Sequence, residues 1–504
     1  MKTLKIYYTS DVHGYLFPTD YLDKDEKPMG LLNVINNFKK DENTLILDGG
    51  DIFQGSPYIN YFQKRKDLNN GIATVMNAGA YDYLTLGNHD FNYGLDMLKG
   101  NLNQLNAQVT AVNLLDEETG KELFPAKIHE LGNGLKVGII GFVTDYVNIW
   151  EKAENLKGLK IVSPLEAARK AVAELHNQVD ILIGIYHGGF EADLKTGVKE
   201  STTTENVGYQ IAQELPFDLL LTGHQHRKIE GQYLHDTYVV QPPNMAQFYF
   251  EILMELEEDG TKQISSRFCP AGHQHDGQLA AELENLEQTV QEYLDRPVGQ
   301  IATPMKAQSH LALACQGDLF VELVGAVEKL ATGADIAIVS MSNNSQQLPK
   351  VITVRDILTN YPFENSLFKL KITGKMLRQS IEHTADYFSL KDGEIIINPS
   401  WLFPKIEHYN YDFYLGISYT INVSNPVGRR VTRLTYLGEE VQDDQEFSVA
   451  LNNYRAAGGG EYLDYQLAEV LDDTKLDIQQ LIVDFVQTHE WGELTKILDF
   501  EVVK

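Results

Sequence analysis

The sequence predicts two α/β domains joined by a helix, on three observations. The chain has 504 residues, too many for one hydrophobic core. Residues 1 to about 270 alternate short apolar runs with longer amphipathic stretches, the pattern of a layered α/β domain. A Glu-, Leu- and Gln-rich segment then separates this block from a second one of the same kind. The boundaries read as 1–272 for the first domain, 273–298 for the linker helix and 299–504 for the second domain.

In chain order, the predicted strands of the first domain are Leu4–Thr9, Thr44–Leu47, Tyr83–Leu86, Val109–Ala111, Lys136–Phe142, Ile181–Tyr186, Leu219–Thr222 and Tyr238–Gln241. Each is a short apolar run rich in β-branched or aromatic residues. Predicted helices between them include Met29–Lys39, Gly71–Ala78, Gly94–Leu105 and Pro164–Asn177, and a further β segment covers Phe248–Glu257. From Asp276 to Arg296 the apolar residues Leu279, Leu283, Leu286, Val290 and Leu294 recur at helical spacing, and Pro297 ends the pattern. The second domain offers strands at Ile336–Ser340, Leu367–Ile372, Ile417–Val423 and Phe447–Leu451, and helices at Leu319–Ala331 and Gly374–Tyr387.

Composition narrows the function classes. The net charge of −29 repels nucleic-acid backbones and anionic membranes, so neither is the expected partner. A small anion remains compatible, because metal ions set the local sign of a site. The two cysteines, Cys269 and Cys315, are too few for a disulfide framework or a thiolate zinc site and read as buried thiols. The sequence has no run of 18 apolar residues, so no membrane span is expected. With Lys2–Thr9 already reading as a strand, a cytoplasmic protein is the expectation.

Five polar clusters each follow an apolar strand. They are Asp11-Val12-His13, Asp48-Gly49-Gly50-Asp51, Gly87-Asn88-His89-Asp90, His187-Gly188-Gly189 and Gly223-His224-Gln225-His226. In open α/β sheets the carboxyl ends of strands form the ligand crevice, so the five are expected to converge. Asp11 and His13 lie two apart, as do His224 and His226, which in extended backbone puts each pair on one face. Imidazole and carboxylate suit zinc, manganese or iron. The candidate metal ligands are therefore Asp11, His13, Asp51, Asn88, His187, His224 and His226. A carboxylate such as Asp51 can bridge two divalent ions about 3.5–4 Å apart, which activate a water and clamp an in-line displacement at phosphorus. No single cluster carries this reading; five in order, each after a strand, do. His89 diverges from Asn88 in its turn and is expected to assist a leaving oxygen. His273 and His275 follow no predicted strand and read as a solvated loop.

These residues resemble the two-domain 5′-nucleotidase superfamily in its calcineurin-like metallophosphoesterase form. The resemblance rests on Thr9-Ser-Asp-Val-His13, Gly50-Asp-Ile-Phe-Gln-Gly55, Gly87-Asn-His-Asp90, Tyr186-His-Gly188 and Gly223-His-Gln-His226. It continues through Tyr361-Pro-Phe-Glu-Asn365 and Asn452-Asn-Tyr-Arg-Ala-Ala-Gly-Gly-Gly460. It implies a four-layer N-terminal sandwich and a C-terminal 5′-nucleotidase-type domain. It implies two divalent ions, one on Asp11, His13, Asp51 and His226, the other on Asp51, Asn88, His187 and His224. It implies that Phe363 and Tyr454 sandwich a nucleobase that Asn365 hydrogen-bonds, and that the domains rotate about the linker helix.

Within the superfamily, the runs Gly87-Asn-His-Asp-Phe-Asn-Tyr-Gly-Leu95, Asn452-Asn-Tyr-Arg-Ala456 and Tyr409-Asn-Tyr-Asp412 are similar to the bifunctional 2′,3′-cyclic-nucleotide 2′-phosphodiesterase/3′-nucleotidases. Where the 5′-nucleotidase branch has an aspartate paired with the catalytic histidine, this chain has Asn92. Where that branch has a Gly-Gly-Ile-Arg motif, this chain reads Ser342-Asn-Asn-Ser-Gln346, and its acidic ribose contact is replaced by Gly460. The expected catalytic residues are thus His89 and Asn92. The expected protein is a monomer or weak dimer that hydrolyses nucleotide phosphate esters by attack of a metal-activated water. The alternatives are a 5′-nucleotidase or nucleotide-sugar hydrolase, and a nucleotide-binding protein without turnover.

Overall fold

The computed structural model describes residues 1–201, 203–403, 405–489 and 497–504. The chain divides into two compact units, Met1–Val290 and Gln291–Lys504.

The first unit is built on two six-stranded sheets. The first runs, in spatial order, Lys262–Pro270, Phe248–Leu256, Lys2–Thr9, Thr44–Asp48, Tyr83–Leu84 and Gln108–Val109. The second runs Ile229–Leu234, Thr237–Gln241, Leu219–Thr222, Ile181–His187, Lys136–Val143 and Lys127–Glu130. Alternate residues of each strand point to one face, so Leu4, Ile6, Leu45 and Leu47 of the first sheet meet Ile139, Ile183, Ile185 and Leu221 of the second in a fully buried core. The intervening residues of the second sheet, among them Ile140, Leu182 and Leu220, pack on helices Pro164–Leu175 and Gly208–Glu214. On the outer side of the first sheet Tyr7 stacks on Phe38, beyond the short helix Leu31–Ile35, which completes the four layers. Strands buried on both faces read as continuous apolar runs, which is why their positions are visible in the sequence.

Several local predictions are corrected. The helix expected over Met29–Lys39 is confined to Leu31–Ile35. Asn33 and Asn37 donate from their side chains to the carbonyls of Gly272 and Ala271, holding the chain to that loop instead of extending the helix. The expected strand Val109–Ala111 breaks at Thr110, with Gln108–Val109 in the first sheet and Ala111–Asp116 in a separate three-stranded sheet. Strand Lys262–Pro270 escaped the sequence reading because polar residues dominate this edge strand. It brings a strand to just before His273 and His275. His273 is exposed, whereas His275 is half-buried and bonds Asn33 Oδ1 at 3.0 Å. Cys269 is buried, but Cys315 is only partly so.

The second unit holds a five-stranded mixed sheet in the order Asp412–Leu415, Ile336–Ser340, Glu446–Asn452, Ser366–Thr373, Glu469–Asp477. Helix Leu319–Thr332 packs against it with Phe320, Leu323, Val324 and Val327 buried. A four-stranded sheet includes Ser418–Asn422 and the C-terminal strand Asp499–Val503. The helix Gly277–Leu294 spans the boundary between the units. Among the described residues no single helix is long and apolar enough to cross a membrane.

Candidate metal centre

All five polar clusters leave the carboxyl ends of parallel strands, three in the first sheet and two in the second. Their turns are bound to one another. Asp11 N donates to Gly50 O at 2.9 Å, and His13 N to Asp51 O at 2.8 Å. Asp11, His13, Asp51, His224 and His226 all take left-handed backbone, with φ between 50° and 68°. Such conformations cost about 1–2 kcal/mol per residue and persist only where the surroundings enforce them. Gly50, at φ 91°, passes against the Gly87 backbone where a Cβ would collide.

The turns bring the seven candidate ligands together. His226 Nε2 lies 3.3 Å from Asp11 Oδ1 and 3.1 Å from His13 Nε2. Asp51 Oδ2 lies 3.2 Å from His187 Nε2 and 3.8 Å from His13 Nε2. Asn88 Oδ1 is 3.2 Å from His187 Nε2 and 2.9 Å from His224 Nδ1. Asp11 forms one group of convergent ligand atoms with His13 and His226, and another with Asp51 and His187. Asp51 lies between His13 on one side and His187 on the other.

The histidines are oriented from behind. His13 Nδ1 donates to Gln54 O at 2.8 Å, and His187 Nδ1 to Gly49 O at 2.7 Å. A carbonyl only accepts, so in both rings Nδ1 carries a proton and Nε2 is the atom left to face the centre. His224 is turned the other way. Its Nε2 donates to Glu205 Oε1 at 2.9 Å, which leaves Nδ1 facing inward, and its ring stacks on Trp150. Asp90 accepts from the backbone N–H groups of Asp51, Ile52, Phe53 and Gly87, tying two ligand turns to one carboxylate. Glu205, Trp150 and Asp90 were not singled out from the sequence. Asp90 alone carried a signal there, as an acid embedded in the Asn88 cluster.

The electrostatics are those of a cation site. Burial pushes Asp11 upward, but its bond to His226 and the charge of His187 outweigh this and hold it at about 2. Asp51, against the same burial, is held well below the usual range by His187 and His89. Burial lowers His187, yet Asp51 raises it to about 10, while His13, with burial dominant, falls to about 4. Buried carboxylates thus hold a proton on a ring whose Nε2 points inward, in the place a cation would take. Neutral and anionic nitrogen and oxygen donors, without thiolate, fit zinc, manganese or iron. Divalent ions held there would supply positive charge for phosphoryl oxygens and lower the pKa of a water.

His89 stands beside the cluster, with its ring centroid 5.6 Å from that of His13. Its Nδ1 pairs with Asn92 Oδ1 at 2.9 Å, and Asn92 Nδ2 donates to Glu151 Oε2 at 2.6 Å. In the second unit, Phe363 and Tyr454 both flank Tyr409, at centroid distances of 6.2 and 6.4 Å. All three rings are half-buried. The half-buried Asn365 shares a side-chain hydrogen bond with the buried Tyr361 hydroxyl.

The four-layer fold with this cluster at its strand ends defines the metallophosphoesterase class. Residues 4–228 match the calcineurin-like phosphoesterase family, and residues 297–466 match the 5′-nucleotidase C-terminal domain. The chain belongs to the calcineurin-like phosphoesterases that carry a 5′-nucleotidase C-terminal domain, metal-dependent hydrolases of phosphate esters. It is 31% identical to a Staphylococcus aureus protein provisionally named a 5′-nucleotidase and solved with alpha-ketoglutarate, at a TM-score of 0.93 over 100% of both chains. It is 29% identical to a Salmonella typhimurium 2′,3′-cyclic-nucleotide 2′-phosphodiesterase/3′-nucleotidase, over 90% of this chain and 81% of that one. It is 26% identical to the trifunctional nucleotide phosphoesterase protein YfkN of Bacillus subtilis, over 96% of this chain but only 38% of that relative's length.

Proposed function

We propose that this chain hydrolyses nucleotide phosphate esters as a 2′,3′-cyclic-nucleotide 2′-phosphodiesterase and 3′-nucleotidase. The observation that carries this reading is the pairing of His89 with Asn92 at 2.9 Å, in place of the aspartate expected of the 5′-nucleotidase branch. The names of relatives from Salmonella typhimurium and Yersinia enterocolitica, at 29% and 28% identity, support it. In this reading Asp11, His13, Asp51 and His226 hold one ion, and Asp51, Asn88, His187 and His224 the other. His89 assists at the leaving oxygen. Phe363 and Tyr454 take the base between their faces, with Asn365 at its edge.

A 5′-nucleotidase is the second reading, favoured by the provisional name of the Staphylococcus aureus neighbour. Phosphate release from 2′,3′-cyclic AMP, 3′-AMP, 5′-AMP and UDP-glucose separates the two. Turnover of the cyclic nucleotide and 3′-AMP above 5′-AMP is the expected result. A preference for 5′-AMP would give the second reading the stronger claim.

A further inference from the structure

The segment Tyr146–Asn155 lies far in sequence from every candidate ligand cluster, yet it touches one of the site's histidines and reaches a second through Asn92. Trp150 stacks on His224, with centroids 5.6 Å apart. The next residue, Glu151, reaches His89 through one intervening amide. Asn92 Nδ2 donates to Glu151 Oε2 at 2.6 Å. The other carboxylate oxygen is held by Lys152 N at 2.7 Å and by Asn155 Nδ2 at 2.8 Å, and Asn155 also donates to Asn92 O at 2.8 Å. Glu151 is therefore fixed on the side away from Asn92 and aimed at it on the other.

The polarity of this chain of bonds is determined from its outer end. A carboxylate only accepts, so Asn92 must present its NH₂ to Glu151. Its Oδ1 then faces His89, and an amide oxygen also only accepts. His89 must therefore carry its proton on Nδ1, which leaves Nε2 as the ring atom for the reacting phosphate. Without Glu151, Asn92 could turn over and offer NH₂ to His89, selecting the opposite tautomer.

We infer that Glu151 is a positioning residue for His89, setting its tautomer and ring orientation through the amide of Asn92. The inference rests on the reading of His89 as the group facing the phosphate. It makes the three residues a unit in which Asn92 and Glu151 together do what one aspartate does in a His–Asp dyad. The negative charge lies one residue further out, and the amide transmits its direction.

The test is a two-residue exchange, with p-nitrophenyl phosphate as substrate so that nucleotide preference does not enter. Glu151→Gln keeps its carbonyl on Lys152 N and Asn155 Nδ2 and so turns its NH₂ to Asn92. Asn92 must then turn over and offer its own NH₂ to His89. The expected result is a fall in kcat of roughly 10–100-fold with KM unchanged to within about twofold. Asn92→Asp alone places two carboxylates in contact and should also lose activity. The double variant Glu151→Gln with Asn92→Asp restores one donor and one acceptor at that contact, with an acceptor still facing His89. It should recover most of the wild-type kcat. A second readout does not depend on turnover. Long-range ¹⁵N–¹H spectra of zinc-loaded, ¹⁵N-histidine-labelled protein, assigned through His89→Gln, should show His89 as the Nδ1–H form in wild type. They should show a shift to the Nε2–H form in Glu151→Gln and the Nδ1–H form again in the double variant. Full kcat in Glu151→Gln, no rescue in the double variant, or an unchanged His89 tautomer in Glu151→Gln would each overturn the inference. Wild-type hydrolysis of p-nitrophenyl phosphate by His89→Gln would instead count against the role of His89 itself.

Discussion

Arg455 and Asp412 form a fully buried ion pair in the C-terminal unit. Arg455 Nη2 donates to Asp412 Oδ1 at 2.9 Å, and Nε lies 2.7 Å from Oδ2, with neither side chain exposed. The pair locks two sequence motifs together, Tyr409–Asp412 and Asn452–Gly460. Arg455 also donates to the carbonyls of Tyr409 and Gly459 and lies 4.1 Å from the centroid of Tyr462. Its role is that of a strut, which fixes Tyr409 and Tyr454 from behind.

Removing one member of such a pair leaves the other charge buried and uncompensated. Arg455→Ala is expected to cost about 3–5 kcal/mol of stability in the C-terminal unit. Metal content should be unchanged, because the ligand residues belong to the other unit. Thermal unfolding followed alongside metal analysis checks this. A stable variant with normal melting would show that the pair is dispensable.

Asp90 serves the candidate metal centre as Arg455 serves the aromatic patch. Its four backbone hydrogen bonds hold Asp51 and the Gly87–Asn88 turn in register. Asp90→Ala releases all four donors and should weaken zinc binding by about 10–100-fold, measured by titration into metal-free protein. His224→Ala, which removes a candidate ligand, should lower the number of ions bound per chain instead. Equal stoichiometry and affinity in both variants would mean that neither acts on the centre.

The seven candidate ligand positions were legible as polar clusters because each follows a strand buried on both faces, and such strands stand out as apolar runs. The strand ends then dictate where the ligands meet. What surrounds the ligands was not legible. Glu205 and Glu151 are acids in polar loops, indistinguishable in sequence from the many solvated acids of a chain with net charge −29. Their partners, His224 and Asn92, lie 19 and 59 residues away. The short helix Leu31–Ile35 fell short of its predicted length for the same kind of reason. Asn33 and Asn37 are bound to a loop more than 230 residues downstream, and no local pattern announces that.

His408 gives the C-terminal unit an acid-sensitive core. Burial, reinforced by the neighbouring His310, lowers it to about 4 from its ordinary 6.5. Tyr387 donates to its Nδ1 at 2.7 Å, and the His310 ring stacks on it at 3.7 Å. The fold therefore holds it neutral. Between pH 6.5 and 4 the unfolded chain binds the proton more readily, so this contribution is complete above 6.5 and is lost as pH falls through the window. Asp48 and Asp90 are raised to about 8 and about 6 and act in the opposite sense, so the comparison must be between variants. His408→Gln keeps an acceptor for Tyr387 and should lose less stability than wild type between pH 7.5 and pH 5. Denaturant midpoints at the two pH values measure this, and parallel losses would remove His408 as the cause.

In the proposed reading the aromatic patch of the second unit bears on which substrates are cut. Tyr454 is half-buried at 6.4 Å from Tyr409, and Gly459 approaches its ring so closely that a Cβ there would clash. Arg455, next in sequence, is anchored to Asp412, so Tyr454 is held on a rigid support rather than free to collapse. Stacking on a base is worth about 1–3 kcal/mol by alanine substitution and tolerates different bases. Tyr454→Ala should therefore raise KM for 3′-AMP by roughly 5–150-fold. It should leave the hydrolysis of p-nitrophenyl phosphate, which has no base, nearly unchanged. Phe363→Ala should behave in the same way if the two rings share one base, and the double variant should lose little beyond either single one. Additive losses would place the two rings on separate parts of the substrate. Equal losses on both substrates would mean that Tyr454 supports the fold and does not bind the base.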